Sequence, residues 1–337
     1  MSNSFFSLSP KQQLGLIKQA GEQLDMTDVI IEKDLWLCWV LEKLFELPIQ
    51  MAFKGGTSLS KAFSLIKRFS EDCDITIDYR NFKPTLNLKD ISRAQIKKIG
   101  GQLKVQLKNY VSQIILPYLQ SQVIKSFPDK LCDITLSEDG EQLRFYYPSL
   151  VNSSLGYLRD HILIEFGVRN STEPCEKQAI CSYLAKVVDK NIRLPYAMVN
   201  TLSPIRTFWE KATLMHVECH RDRLAKTPER LSRHWYDLFM LNNSWVGQRA
   251  LSSVDILMSV VEHKKAFFNA NYTNYDDCIN GKFRLIPSIK GQKSLSSDFL
   301  QMIDAGMFYD APINFNTIIK SLKTIEEAIN NMEKLSK

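Results

Sequence analysis

Several things are scarce in this 337-residue chain, and each scarcity excludes a class of protein. The seven cysteines (Cys38, Cys73, Cys132, Cys175, Cys181, Cys219 and Cys278) are odd in number and form no CxxC pair. A disulfide-stapled scaffold is thereby excluded, and reduced thiols in a cytosol are expected. No long apolar run exists: the longest, Leu35 to Leu41, is flanked by Asp34 and Glu42. A bilayer span takes roughly 20 apolar residues. The first residues also lack the basic segment and apolar core of a signal peptide, so a cytoplasmic protein without a membrane partner is expected. Internal repeats and low-complexity stretches are missing. Charge of one sign is only mildly in excess, with 43 Lys+Arg against 37 Asp+Glu for a net +6. That balance permits a polyanionic partner without requiring one.

What is present is the make-up of an ordinary globular protein: 45% hydrophobic and 24% charged residues, in a chain long enough for one large or two ordinary domains. Ser9-Pro10 reads as the cap and start of a helix, and Thr27 to Phe45 is amphipathic with a wide apolar face that Pro48 ends. A short strand at 49–53 runs into Lys54-Gly55-Gly56. A helical stretch over 59–69 and a β-branched strand over 73–78 follow. Further on come a lysine-faced helix over 92–122, a strand pair within 131–147, and a buried-type strand over 161–168 carrying a single charge, Glu165. Beyond residue 200 the pattern is almost wholly helical, with helices at 205–220, 232–242 and 315–332 and a polar loop over 280–297. The expectation is an α/β (α+β) protein: a small mixed sheet with N-terminal helices in residues 1–200, and a mostly helical domain in 201–337.

The segment richest in chemistry runs Phe53-Lys54-Gly55-Gly56-Thr57-Ser58-Leu59 to Ser70-Glu71-Asp72-Cys73-Asp74. Glycines let backbone approach phosphates, Thr57 and Ser58 offer hydroxyl donors, and a helix start adds unpaired N–H groups. Asp72 and Asp74, two apart at a strand start, project from one face. Two carboxylates held together repel unless a cation bridges them, and hard oxygen ligands suit Mg²⁺. An anion cradle beside such a metal site is what phosphoryl and nucleotidyl transfer requires. Glu165 is costly in an apolar strand unless paired or metal-bound, which makes it the candidate third ligand. Taken singly, Gly-Gly-Thr is an ordinary turn with a cap, and Asp-x-Asp is a common loop edge. Their order and spacing raise the catalytic reading above those structural ones.

That order, Gly-Gly-Thr/Ser, one helix, then Asp-x-Asp on a strand, resembles the polymerase-β-like nucleotidyltransferase superfamily. The run FKGGTSLSKAFSLIKRFSEDCDITID is similar to the AbiEii-like abortive-infection toxin nucleotidyltransferases of toxin–antitoxin systems. Ile30-Ile31-Glu32-Lys33-Asp34-Leu35-Trp36 resembles the family's N-terminal helix, and Ser297 to Met302 with Phe315 to Asn330 its C-terminal helical region. Ile205 to Lys211 fits its lysine motif and Arg233 to Leu238 its Arg/Asp motif. The resemblance implies that Gly55, Gly56, Thr57 and Ser58, with Arg233, bind the nucleotide, and that Asp72 and Asp74 bind Mg²⁺ or Mn²⁺. It also implies that Lys211 contacts the triphosphate and that Asp237 positions Lys211 or the nucleotide. The helical domain would thus complete the nucleotide site. The implied activity is NMP transfer from an NTP to an acceptor hydroxyl, with the 3′ end of tRNA as acceptor and, as partner in phage defence, a separately encoded antitoxin that need not contact the toxin directly. A protein or small-molecule acceptor is the runner-up. A non-catalytic nucleic-acid- or partner-binding protein of the same fold is the rival, and the intact aspartate pair counts against it.

The remaining candidates read as structure. Trp36, Trp39 and Phe45 fall at helical spacing and suit a core. The five histidines show no metal-type clustering, although His216 and His220 are four apart. The basic run Arg221, Arg223, Lys226, Arg230 and Arg233 is a solvated face or an RNA contact, and the lysines at 97, 98, 104 and 108 are a weaker version of the same.

Overall fold

A computed structural model describes residues 3–86, 91–151, 157–221, 224 and 230–332. The chain divides into two compact units, one of residues 1–64, 68–86 and 99–202, the other of 65–67, 87–98 and 203–337.

The first unit opens with β1 (Asn3–Ser4) and α1 (Pro10–Leu24). Ser9 caps α1 through a reciprocal pair, its hydroxyl accepting the Gln12 N–H while the Gln12 side chain returns to the Ser9 N–H, which satisfies two of the orphan donors of a helix start. Helix α2 (Asp28–Leu44) buries 13 of its 17 residues, so it is a core helix rather than a surface one. Trp36 and Trp39 pack on Phe127 at 5.0 Å between ring centres and on Phe145 at 5.7 and 5.5 Å.

After α2 come β2 (Met51–Lys54), α3 (Gly55–Lys61) and β3 (Cys73–Ile77). Helix α4 (Arg93–Tyr110) passes through a π turn at Val111–Ile115 into α5 (Leu116–Ser126), and β4 (Asp133–Leu136) to β9 (Tyr196–Leu202) follow. Between these last two lie β5 (Gln142–Tyr146), β6 (His161–Gly167), β7 (Cys175–Cys181) and β8 (Ile192–Arg193). A seven-stranded mixed sheet runs β4-β5-β6-β3-β2-β9-β7, and β1 pairs with β8 alone. Strands β2 and β3 are antiparallel, whereas β3–β6 and β2–β9 are parallel. The two strands bearing the sequence motif therefore lie in the middle of the sheet, held on both sides.

Several elements differ from the sequence reading, which assigned no strand over β8 or β9 and a single helix over 92–122, and three of the differences have a plain local cause. Helix α3 starts at Gly55 and ends at Lys61 instead of spanning 59–69, because Ser64, at φ 54°, turns the chain out of the helical region. Strand β7 escapes a periodicity search because it is a sheet edge whose side chains are nearly all exposed, leaving no apolar alternation. The presumed loop over 280–297 holds the start of α10 (Ile289–Asp304), where Ser288 caps the helix by accepting the Gly291 N–H.

The second unit contains α6 (Pro204–His220), α7 (Ser232–Asn242), α8 (Trp245–Ser252), α9 (Val254–Phe267), α10 and α11 (Phe315–Asn330). Helix α7 packs against α6, α8, α10 and α11, and Trp209 and Trp235 are fully buried. Tyr236, Phe299, Phe308 and Phe315 form a linked ring cluster. The residue before α7, Leu231, has no side chain that caps. Asp298 of α10 does this at long range, accepting the Arg230 N–H at 2.7 Å and the Ser232 N–H at 2.8 Å. Among the described residues, no helix is long and apolar enough to cross a membrane.

Candidate active site

The site begins where β2 hands the chain to α3. Gly55 has φ +80°, a conformation that glycine alone adopts without strain. Its second constraint is space: a Cβ built there would lie 2.0 Å from Asp74 Oδ2. Register explains the contact, since Lys54 lies opposite Asp74 across the β2–β3 pair. The sequence reading assigned the glycines to phosphates. The structure adds that Gly55 makes room for a carboxylate.

The next two hydroxyls point inward. Thr57 is fully buried and donates from Oγ1 to the Asp72 carbonyl at 2.6 Å, with Ser70 Oγ at 3.0 Å. Ser58, also buried, donates to the Gly55 carbonyl at 2.9 Å. Thr57 thus locks α3 to the approach to β3 and Ser58 is used within the first turn of α3, so the donors this turn leaves for an anion are backbone N–H groups. Asp72 is buried just before β3, and Asp74 is half-buried within it.

Parallel pairing of β3 with β6 sets Asp74 opposite Glu165, so the two carboxylates stand on the same face of neighbouring strands. Like charges directly opposite are unfavourable in a sheet. Gln142 of β5, paired with Glu165 across the next ladder, donates its amide to Glu165 Oε1 at 2.8 Å. The donor set is all carboxylate oxygen, which suits a hard divalent cation, and Asp72, Asp74 and Glu165 are the residues fit to hold one. The neighbouring Cys73 takes no part: burial, reinforced by Asp74 and Asp72, pushes its thiol well above the ordinary range.

Behind Asp72 lies a buried charge network with little signature in the sequence. Glu71 accepts the Lys33 ammonium at 2.7 Å, both side chains being about 1% exposed, and also accepts the Arg159 backbone N–H at 3.0 Å. Lys33 further donates to the Arg159 carbonyl, and the Arg159 guanidinium forms an ion pair with Asp72. Burial pulls the Lys33 ammonium down from its usual range against the pull of Glu71. Its neighbours in α2 do similar work. Glu32 accepts from the Ser149 hydroxyl and the Leu150 N–H, while Asp34 pairs with Lys61 at 2.6 Å and accepts the Tyr183 N–H at 2.7 Å. Glu32-Lys33-Asp34, singled out above only by resemblance, is thus a triplet of buried charges, each with its own partner.

In the helical unit, Lys211 of α6 and Asp237 of α7 form an ion pair at 2.8 Å, with side chains 8% and 0% exposed. His234 Nδ1 stands 3.5 Å from the same ammonium. Arg233 and Asp237 are one turn apart on α7, as expected. Of the basic run, Arg223 and Lys226 lie outside the described residues, and Arg221 pairs with Glu218 at 3.2 Å. Lys104 and Lys108 of α4 reach the turn between β4 and β5, at Glu141 and the Glu138 carbonyl.

The histidines do cluster more than expected. Among the described residues, His216, His220 and Asp277 bring one ligand atom each within 4.8 Å of one another. His216 is nonetheless spoken for: Nδ1 accepts the Arg284 N–H at 2.9 Å, so Nε2 carries the proton and donates to the Asn274 carbonyl at 3.1 Å. Burial, with His220 beside it, pushes His216 down to about 4. It is a satisfied core histidine.

A strand–glycine–helix–strand unit bearing Asp72 and Asp74, with Glu165 opposite Asp74 on β6, suits a nucleotidyltransferase, and the class and family follow from comparison. The family of nucleotidyl transferase AbiEii toxins of type IV toxin–antitoxin systems matches residues 39–329, and the chain belongs to it. Among solved structures it is similar to MenT4, a nucleotidyltransferase toxin from Mycobacterium tuberculosis H37Rv. That likeness has 14% identity and a TM-score of 0.45, over 96% of this chain and 98% of that one. No curated protein matches it in sequence.

Proposed function

We propose that this nucleotidyltransferase toxin moves a nucleoside monophosphate from an NTP to an acceptor hydroxyl, with Mg²⁺ as the metal and the 3′ end of tRNA as the acceptor. The observation that carries the reading is the register that sets Glu165 beside Asp74, with Gly55 packed on the Asp74 carboxylate. A divalent cation bound there would supply charge neutralisation for the transferring phosphoryl group and activation for the attacking hydroxyl. The chain's own residues position it. Asp72, Asp74 and Glu165 would supply the oxygen ligands, and the backbone N–H groups of Gly55, Gly56, Thr57 and Ser58 would receive phosphate oxygens. In the helical unit the family's later motifs fall on Lys211, Arg233 and Asp237, and the Lys211 ammonium, held by Asp237 with His234 3.5 Å away, is the charge those motifs would offer a triphosphate. The net charge of +6 is compatible with a polyanionic acceptor such as tRNA.

The test is label transfer from each of the four α-³²P NTPs to total tRNA with Mg²⁺, wild type against an Asp72→Ala/Asp74→Ala double variant. Labelled tRNA with wild type alone supports the reaction and the metal pair together. Labelled protein in place of tRNA would overturn the acceptor assignment, and equal labelling by both forms would overturn the role of the aspartates.

A further inference from the structure

Arg159 is a built feature rather than a passing surface contact. Its backbone is fastened twice inside the first unit, the N–H donating to Glu71 at 3.0 Å and the carbonyl accepting from Lys33. Those two partners form a pair that is itself about 1% exposed. From that anchor the side chain, 29% exposed, lays its guanidinium on the carboxylate of Asp72 and 3.7 Å from Glu71. Asp72 is, with Asp74 and Glu165, one of the three carboxylates proposed above as metal ligands. A guanidinium on a carboxylate oxygen uses the same lone pairs that a metal would use.

We propose that Arg159 is the built-in counter-ion of the metal site. In the metal-free protein its guanidinium neutralises Asp72 and keeps the carboxylate group from repelling itself apart, and a divalent cation binds by displacing it from Asp72. This rests on the reading of Asp72, Asp74 and Glu165 as metal ligands. The chemistry is competition between two cations for one carboxylate, so metal affinity in the absence of nucleotide is set below what the carboxylates alone would give. The arrangement makes loading depend on metal and nucleotide arriving together, since the phosphates contribute ligands of their own.

The competition has a sign that a merely structural arginine would not produce: its removal should tighten metal binding. A unit positive charge withdrawn from about 4 Å in a partly solvated site corresponds to roughly tenfold in affinity. The experiment is Mn²⁺ binding to the full-length chain without nucleotide, read as free Mn²⁺ by electron paramagnetic resonance, for wild type, R159Q, R159K and D74N. R159Q is expected to bind Mn²⁺ about tenfold more tightly than wild type, and R159K to return towards the wild-type value because it keeps the charge. Circular dichroism melts establish that each variant is folded, and R159K provides a second reading if R159Q melts early. Mn²⁺ binding that D74N abolishes and R159Q leaves unchanged or weakens overturns the counter-ion role alone. Mn²⁺ binding that D74N does not alter overturns the metal reading and the counter-ion role with it.

Discussion

Replacing Gly55 by alanine adds one methyl group, and the structure specifies where it goes. The new Cβ would lie 2.0 Å from Asp74 Oδ2 and 2.9 Å from Asp74 Cγ, far inside van der Waals contact, so the carboxylate has to turn away or the β2–α3 junction has to open. The backbone at φ +80° adds strain of about 1–2 kcal/mol for a residue with a Cβ. Relief of the clash by rotating the Asp74 side chain, off its best rotamer, adds roughly 1 kcal/mol. The expected loss of stability is therefore about 2–3 kcal/mol, and the expected loss of nucleotidyl transfer is larger than that loss explains. A group proposed to hold the metal, moved by about 1 Å, is expected to cost on the order of a hundredfold in rate. Gly101, in α4 and exposed, has nothing within 4 Å of its Cβ position. Alanine there should stabilise by about 0.5–1 kcal/mol, which makes it the matched control. Urea unfolding of each variant followed by circular dichroism, with label transfer from α-³²P NTP below the transition, separates the two effects. A Gly55→Ala protein that melts and transfers like wild type would refute the claim that this glycine exists to accommodate Asp74.

The Lys211–Asp237 pair should behave as a buried unit: Asp237→Ala leaves an uncompensated charge and is expected to cost about 3–5 kcal/mol. The double variant Lys211→Met/Asp237→Leu should restore much of that stability while leaving transfer abolished, and a double variant as unstable as the sum of its parts would refute the pairing. His216 gives the fold an acid limit. Because its folded value of about 4 lies below the unfolded value of about 6.5, its contribution is complete above pH 6.5 and is lost as the pH falls towards 4. The loss is at most roughly 3 kcal/mol. Melting temperatures of wild type and His216→Gln across pH 7 to 4 check this, and parallel curves would show that His216 is not the group responsible.

The motif around Gly55 and Asp74 is legible in the sequence because its parts are close in the chain and its chemistry is local: glycine, hydroxyls, a short helix and two carboxylates on the next strand. Glu165 is legible for another reason, as a lone charge in an apolar strand. The partners of these groups are not legible. Arg159 reaches Asp72 from 87 positions away, Gln142 reaches Glu165 from the adjacent strand, and Asp298 caps α7 from 66 positions away. Nothing in the local pattern of arginine, glutamine or aspartate marks those contacts, since only the sheet order and helix packing create them. The inward turn of the Thr57 hydroxyl is hidden in the same way: its acceptor is a backbone carbonyl, which every residue has.

The three consecutive charges of α2 have a consequence for how this protein can change over time. Successive residues on a helix point about 100° apart, so Glu32, Lys33 and Asp34 face three different parts of the first unit: the 149–150 turn, the Glu71–Arg159 junction, and the Lys61–Tyr183 corner. Lys33 and Asp34 are held by charge matching, with Glu71 and Lys61, whereas Glu32 is held by a hydroxyl and a backbone N–H. Mutational drift at Lys33 and Asp34 is therefore governed by electroneutrality and not by volume. An isosteric change such as Asp34→Asn, harmless to packing, breaks the match with Lys61, whereas a compensated swap of both partners can pass. The lineage's freedom to vary here lies in pairs of substitutions, and single ones meet a barrier that the size of the side chain does not predict.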